Sequence, residues 1–209
     1  MAVASPGLSG RDRLAVAGEP HEVAVLVRHA LAEAGPAYRA FGPAPLVRAV
    51  VAAMSELEPV SEFRWMDTDA VPDAPPTGPR WLDAGAEPAV GALFDAHFPD
   101  SYAQPGRPGV HRWAGVLDDA GRPLAVAAEA WPAADCGLLA GVVTHPDARG
   151  RGLARTVCGF VLHDLVTRYG RAGLMVHADN ASAIATYERL GMKAHPFAAA
   201  GLSKATSAA

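Results

Sequence analysis

Between residues 138 and 192 the chain carries an apolar run and then Thr144-His145-Pro146-Asp147-Ala148-Arg149-Gly150-Arg151-Gly152-Leu153-Ala154. One helix and one strand later comes the segment NASAIATYERLGM, from Asn180 to Met192. Gly150 and Gly152 predict a turn with bare backbone N–H groups, and the periodicity beyond it predicts a helix whose first amides face whatever the turn holds. Those donors, the positive end of a helix dipole and the charges of Arg149 and Arg151 describe an anion site suited to a phosphate or pyrophosphate. The turn lacks a Gly-Lys-Ser/Thr ending, so it offers no Lys for terminal phosphates and no hydroxyl for a magnesium ion. It also lacks the three-glycine dinucleotide spacing, because position 155 is Arg. What remains is a pyrophosphate held by backbone and arginine, without a metal.

Arg149-x-x-Gly152-x-Ala154, followed by Asn180-x-x-Ala183-x-x-x-Tyr187-x-x-Leu190-Gly191-Met192, resembles the GNAT superfamily of acyl-CoA-dependent N-acyltransferases, over about residues 80–202. The resemblance implies that Arg149, Gly150, Arg151, Gly152, Leu153 and Ala154 hold the pyrophosphate of coenzyme A. It further implies that the strand carrying Val142, Val143 and Thr144 pairs with the pantetheine arm. Asn180 and Tyr187 join the donor site through the second motif, with Tyr187 beside the thioester sulfur. Acetyl-CoA is then expected as the acyl-donor substrate, with no metal.

Acyl transfer to an amine needs a free amine, a polarised carbonyl and a proton for the leaving thiolate. The Tyr187 phenol suits the last task; its plain alternative is a ring packing beside Ile184 and Leu190. Backbone N–H groups around Val142 and Val143 suit the carbonyl. Several members of the superfamily carry a Glu on the strand before the second motif, and here Met175 stands there. Strand alternation puts His177 on the face of Met175 and Asp179, which makes it a candidate base, since imidazole moves protons near neutral pH. The same alternation puts Glu129 on the face of Trp131, an arrangement suited to a cationic amine held between carboxylate and ring. Against these stand a hydrogen-bonded histidine at a strand end and an exposed glutamate. His145 reads as a turn residue, and Trp113 and Trp131 read as strand packing.

The elements that position these residues follow from pattern. Helices are expected over residues 22–34 and 46–57, and a short strand over 63–66. Residues 71–79, VPDAPPTGP, read as a stiff extended linker. Beyond it come a strand from residue 80 and a helix over 89–98 opened by Pro88. Strands over 110–117 and 123–131 are joined by the turn DDAG, and a third runs over 137–144. A helix over 152–169, a strand over 172–178, a helix capped by Asn180 and closed by Gly191, and a last strand from residue 193 complete the order. The expected fold class is α/β (α+β): a mixed, mainly antiparallel central sheet flanked by helices, with a small N-terminal extension that is helical or a degenerate half-copy. The expected domains are a disordered start (1–20), an N-terminal extension with the linker (21–79) and an acetyltransferase domain (80–209).

Composition narrows the partners. The 209 residues are 50% hydrophobic with a formal charge of −4, so no basic field points to nucleic acid or an anionic membrane. Cys136 and Cys158 form no disulfide framework or zinc spacing, and the histidines show no metal-ligand spacing. The first twenty residues lack the features of a signal peptide, and no stretch is long and apolar enough to span a bilayer. The expectation is a cytoplasmic N-acetyltransferase acting on a small primary amine or an amino-terminal group, with no nucleic acid or membrane partner. Oligomeric state, a homodimer included, stays open. The alternatives are a non-catalytic acyl-CoA-binding or regulatory module, and a GNAT-fold enzyme using another acyl-CoA or a non-amine acceptor.

Overall fold

The computed structural model describes residues 1–70 and 76–203. In chain order the elements begin with β1 (Ala2–Ser5), β2 (Arg13–Val16), α1 (Pro20–Ala34), β3 (Arg39–Pro43), α2 (Ala44–Ala53) and β4 (Leu57–Thr68). They continue with β5 (Arg80–Trp81), α3 (Glu87–His97), β6 (Val110–Leu117), β7 (Pro123–Ala133) and β8 (Cys136–Thr144). The last are α4 (Leu153–Tyr169), β9 (Ala172–His177), α5 (Ala181–Glu188) and β10 (Lys193–Leu202). Proline in the first two positions opens α1, α2 and α3, where its missing N–H costs nothing. Left-handed glycines bound α4, Gly152 at φ 75° and Gly170 at φ 77°. The architecture is mixed α/β with mostly antiparallel strand pairing.

The chain forms two compact units. The first comprises residues 1–65, 176–179 and 195 onward; the second comprises 66–175 and 180–194. In the first unit the sheet order is β1-β2-β3-β10-β4, with β2 and β3 parallel and β10 antiparallel to β3. Helices α1 and α2 bury Val23, Val27, Leu31, Val47 and Val50 against Leu14, Val16, Ala198 and Ala200. Residues 1–20, expected to be disordered, thus hold two strands, and the extension, expected to be helical or a degenerate half-copy, is a mixed layer of helix and sheet. The physical reason is non-local: β2 finds its partner in β3, and β3 in turn pairs with β10 from the other end of the chain. The division falls after Trp65 rather than in the proline-rich segment, of which residues 71–75 lie outside the described residues.

In the second unit the order is β9-β8-β7-β6-β5, antiparallel except for β8 with β9. One sheet face buries Trp113, Val126, Ala128 and Val143 against Val90, Leu93 and Phe94 of α3. Helix α4 packs on β6, β7 and β8, with Leu165 and Tyr169 so close over Gly137 that a Cβ there would lie 2.6 Å from Leu165. Among the described residues no helix is long and apolar enough to cross a membrane.

Candidate functional site

The site begins where β8 stops following its neighbour. β8 pairs with β9 at only two positions, Gly137↔Ala172 and Leu138↔Gly173. On its other side the register with β7 slips by one residue between Val126↔Val143 and Ala128↔Ala140, a bulge at Gly141 and Val142, and Gly141 has φ 59°. Beyond Leu138 the β9-facing backbone of β8 is therefore outside any strand pairing. Val142, Val143 and Thr144 lie on this stretch.

After Thr144 the chain turns through a short 3₁₀ segment, Pro146–Ala148. The Asp147 N–H donates to Nδ1 of His145 at 3.3 Å, so His145 serves the turn as expected. Arg149 is extended, and Gly150 and Gly152 adopt φ 74° and 75°, values that L side chains rarely tolerate. A Cβ on either glycine would meet nothing within 4 Å, so conformation and not crowding calls for glycine at both. No side chain caps the N-terminus of α4, and its first rung is Thr156 N–H to the Gly152 carbonyl at 3.1 Å. The amides of Leu153, Ala154 and Arg155 thus precede the helical ladder, at the positive end of the helix dipole.

These groups open on a cleft of about 570 Å³ lined by Thr144, the turn, Arg155 and, from α5, Ser182, Thr186 and Arg189. Arg149, Arg155 and Arg189 line it with no ion pair among the described residues, whose arginine ion pairs lie elsewhere. Arg189 and Arg155 were not singled out from sequence; the signal was present in the helical spacing of Arg189 from Ser182 and Thr186. Arg151 is exposed and outside the lining. Asn180 caps α5 by accepting the Ala183 N–H at 3.1 Å, which positions the helix wall rather than lining the cleft. Among the described residues no cluster of three or more His, Cys, Asp or Glu side chains is placed to hold a metal ion.

Tyr187 is buried on α5, 7% exposed. Burial, with the nearby Cys158 thiol and Tyr102 hydroxyl adding to it, pushes its phenol well above the ordinary 10. It therefore keeps its proton at neutral pH, and it is not among the residues that line the cleft. Cys158 is itself buried and pushed up to about 12, an inert packing thiol.

Glu129 corrects the sequence expectation. It is neither exposed nor shared with Trp131: its side chain is 2% exposed, and its carboxylate accepts from Arg112 Nε at 2.6 Å, Arg168 Nη2 at 2.5 Å and Tyr169 Oη at 2.7 Å. Asp164 bridges the same two arginines from α4, and Arg112 stacks over Trp81 at 3.7 Å. Burial raises the Glu129 pKa, but hydrogen bonds from Arg168, Arg112 and Tyr169 outweigh it and hold the carboxylate at about 2. It ties β6 and β7 to α4 and has no free oxygen for a substrate. Trp131, at φ 42°, breaks the strand alternation and packs with Ala103, Ala130 and Ala140 on the other face. His177 ends β9 as an exposed residue of the first unit.

A two-motif cleft of this kind, on a splayed strand followed by a glycine turn and an uncapped helix, defines an acyl-CoA-type acyltransferase fold. The chain belongs to the acetyltransferase (GNAT) family, whose model matches residues 79–192. Among solved structures it is similar to a protein assigned to the GNAT family from Novosphingobium aromaticivorans, at 29% identity and TM-score 0.62, covering 97% of this chain and 92% of that one. It is also similar in fold to GCN5-related N-acetyltransferases from Kribbella flavida (21% identity, TM-score 0.62, 91% and 81% covered) and Sphaerobacter thermophilus (18%, 0.62, 95% and 75%). No curated protein matches the chain.

Proposed function

We propose that the protein transfers an acetyl group from acetyl-CoA to a small primary amine or an amino-terminal group, by direct attack on the thioester, in the cytoplasm. The observation that carries this reading is the cleft, where two left-handed glycines, uncapped α4 amides and three arginines without counter-ions among the described residues converge. Those residues fit a pyrophosphate held without a metal. The unpaired β8 backbone beside them fits an extended arm lying along a strand, as in β-augmentation. When bound, the donor supplies the activated acyl group.

The chain's own residues do the rest. Backbone N–H groups around the Gly141–Val142 bulge, where the ladder with β7 is interrupted, serve to polarise the acyl carbonyl. Tyr187, protonated at neutral pH, gives its proton to the leaving thiolate. A buried phenol kept as a donor is what separates this reading from a passive acyl-CoA binder. With Glu129 committed to two arginines, the acceptor ammonium loses its proton to solvent.

Titration calorimetry with CoA tests the reading: binding should need no added metal, and Gly152→Asp should abolish it by setting a carboxylate against the pyrophosphate and straining φ 75°. Metal-dependent binding, or none to CoA or acetyl-CoA, overturns it.

A further inference from the structure

The cleft beside α4 has two walls, and their positive charge comes from different parts of the chain. One wall is the turn itself: the amides of Leu153, Ala154 and Arg155, with Arg149 extended just before the two left-handed glycines. Arg155, in the first turn of α4, is exposed and lines the same cleft. This set is contiguous in sequence and by itself suits one pyrophosphate. The other wall is α5. It contributes Ser182, Thr186 and Arg189, four and then three residues apart, which is the spacing of one stripe along a helix.

The α5 wall is a separate set of donors. At the start of that helix the Ala183 N–H is taken by the Asn180 side chain at 3.1 Å, and the Thr186 hydroxyl donates back to the Ser182 carbonyl at 2.9 Å. The Arg189 N–H is spent on the Ala185 carbonyl at 3.3 Å. What remains are the exposed Ser182 hydroxyl and the exposed Arg189 guanidinium, which has no ion pair among the described residues. No Asp or Glu is among the lining residues; Asp147 and Glu188, the acidic neighbours in sequence, are exposed and outside the lining. Two helical turns put Arg189 about 10 Å along the axis from Ser182, and the cleft of about 570 Å³ has room for a group well beyond a pyrophosphate.

We propose that Arg189, with Ser182, holds a second phosphate, the monoester on the 3′ carbon of the coenzyme A ribose, and that the cleft selects its donor by that group. This rests on the acetyltransferase reading above. A phosphate monoester carries close to two negative charges at neutral pH, and a guanidinium meets two of its oxygens in a fork. The pyrophosphate stays with the α4 amides, Arg149 and Arg155. A donor without the 3′ monoester leaves Arg189 unopposed on a wall that offers no carboxylate.

Calorimetric titration with CoA and with 3′-dephospho-CoA tests it. The wild type should bind CoA at least roughly tenfold tighter, as expected for charge-assisted hydrogen bonds to one more phosphate. Arg189→Gln, at an exposed position, should bring the two affinities within about threefold of each other by weakening CoA alone. Arg189→Lys, which keeps the charge and loses the fork, should give an intermediate ratio. Arg149→Gln should weaken both ligands alike and keep their ratio. Equal affinity of the wild type for the two ligands, or a ratio untouched by Arg189→Gln, overturns the inference and leaves the CoA cleft standing. So does a loss in Arg189→Gln that is equal for both ligands, which makes Arg189 a ligand of the pyrophosphate instead. Binding of neither ligand to the wild type overturns both.

Discussion

Replacing Glu129 by Gln should destabilise the protein by roughly 3 kcal/mol at neutral pH, and the effect should fade in acid. The magnitude comes from the carboxylate's own titration. It falls at about 2 against an ordinary 4.5, which at ~1.4 kcal/mol per pH unit corresponds to roughly 3 kcal/mol of folding free energy. Because the folded value lies below the unfolded one, the contribution is whole above the ordinary carboxylate range and is lost as pH falls toward about 2. Breaking a buried ion pair from one side costs about 3–5 kcal/mol. The lower end applies here, since the Arg112 and Arg168 side chains are 34% and 38% exposed and water solvates them partly when the carboxylate goes. Urea denaturation of wild type and Glu129→Gln, followed by tryptophan fluorescence at several pH values from neutral to strongly acid, reads the gap directly. Comparing the two proteins cancels the other carboxylates. A gap under about 1 kcal/mol at neutral pH, within the range of ordinary surface changes, or one that does not narrow in acid, refutes the assignment of Glu129 as the tie between β7 and α4.

Tyr187→Phe should lower kcat by roughly 10²- to 10⁴-fold with CoA affinity nearly intact, measured by initial rates beside calorimetry; an unchanged kcat returns the ring to packing alone. If solvent takes the acceptor's proton, kcat/KM at low amine should rise with pH in step with the free-amine fraction, and His177→Gln should leave that profile in place. A limb that disappears in His177→Gln would make His177 the base after all.

The parts of this protein legible in its sequence are those whose cause is local. Helix α4 was expected over 152–169 and spans Leu153–Tyr169, because the glycine turn and the apolar stripe are written in consecutive residues. The β6–β7 hairpin was legible in the turn DDAG, where Asp118 Oδ1 accepts the Ala120 and Arg122 N–H groups. Strands β1 to β3 were not legible, since they are short, four or five residues each, and β3, which ties them into the sheet, pairs with β10 from the other end of the chain. Glu129 misled for the same reason. Its three partners are 17, 39 and 40 residues away, and nothing next to it in sequence announces a buried ion network. The Trp131 reversal is subtler: alternation is a rule about regular strands, and one residue at positive φ cancels it.

The donor groups of the cleft belong mainly to the main chain, and that decides which genetic lesions the site can bear. Missense changes at Arg151, Leu153 or Ala154 to anything but proline leave every amide in place, because the backbone N–H does not depend on the side chain. Loss or gain of a single codon between Thr144 and Gly152 is another matter. It would carry the two left-handed glycines out of phase with the start of α4 and scatter donors that no side chain could replace. The turn can thus vary at Arg151, Leu153 and Ala154, and is held to its two glycines and its length.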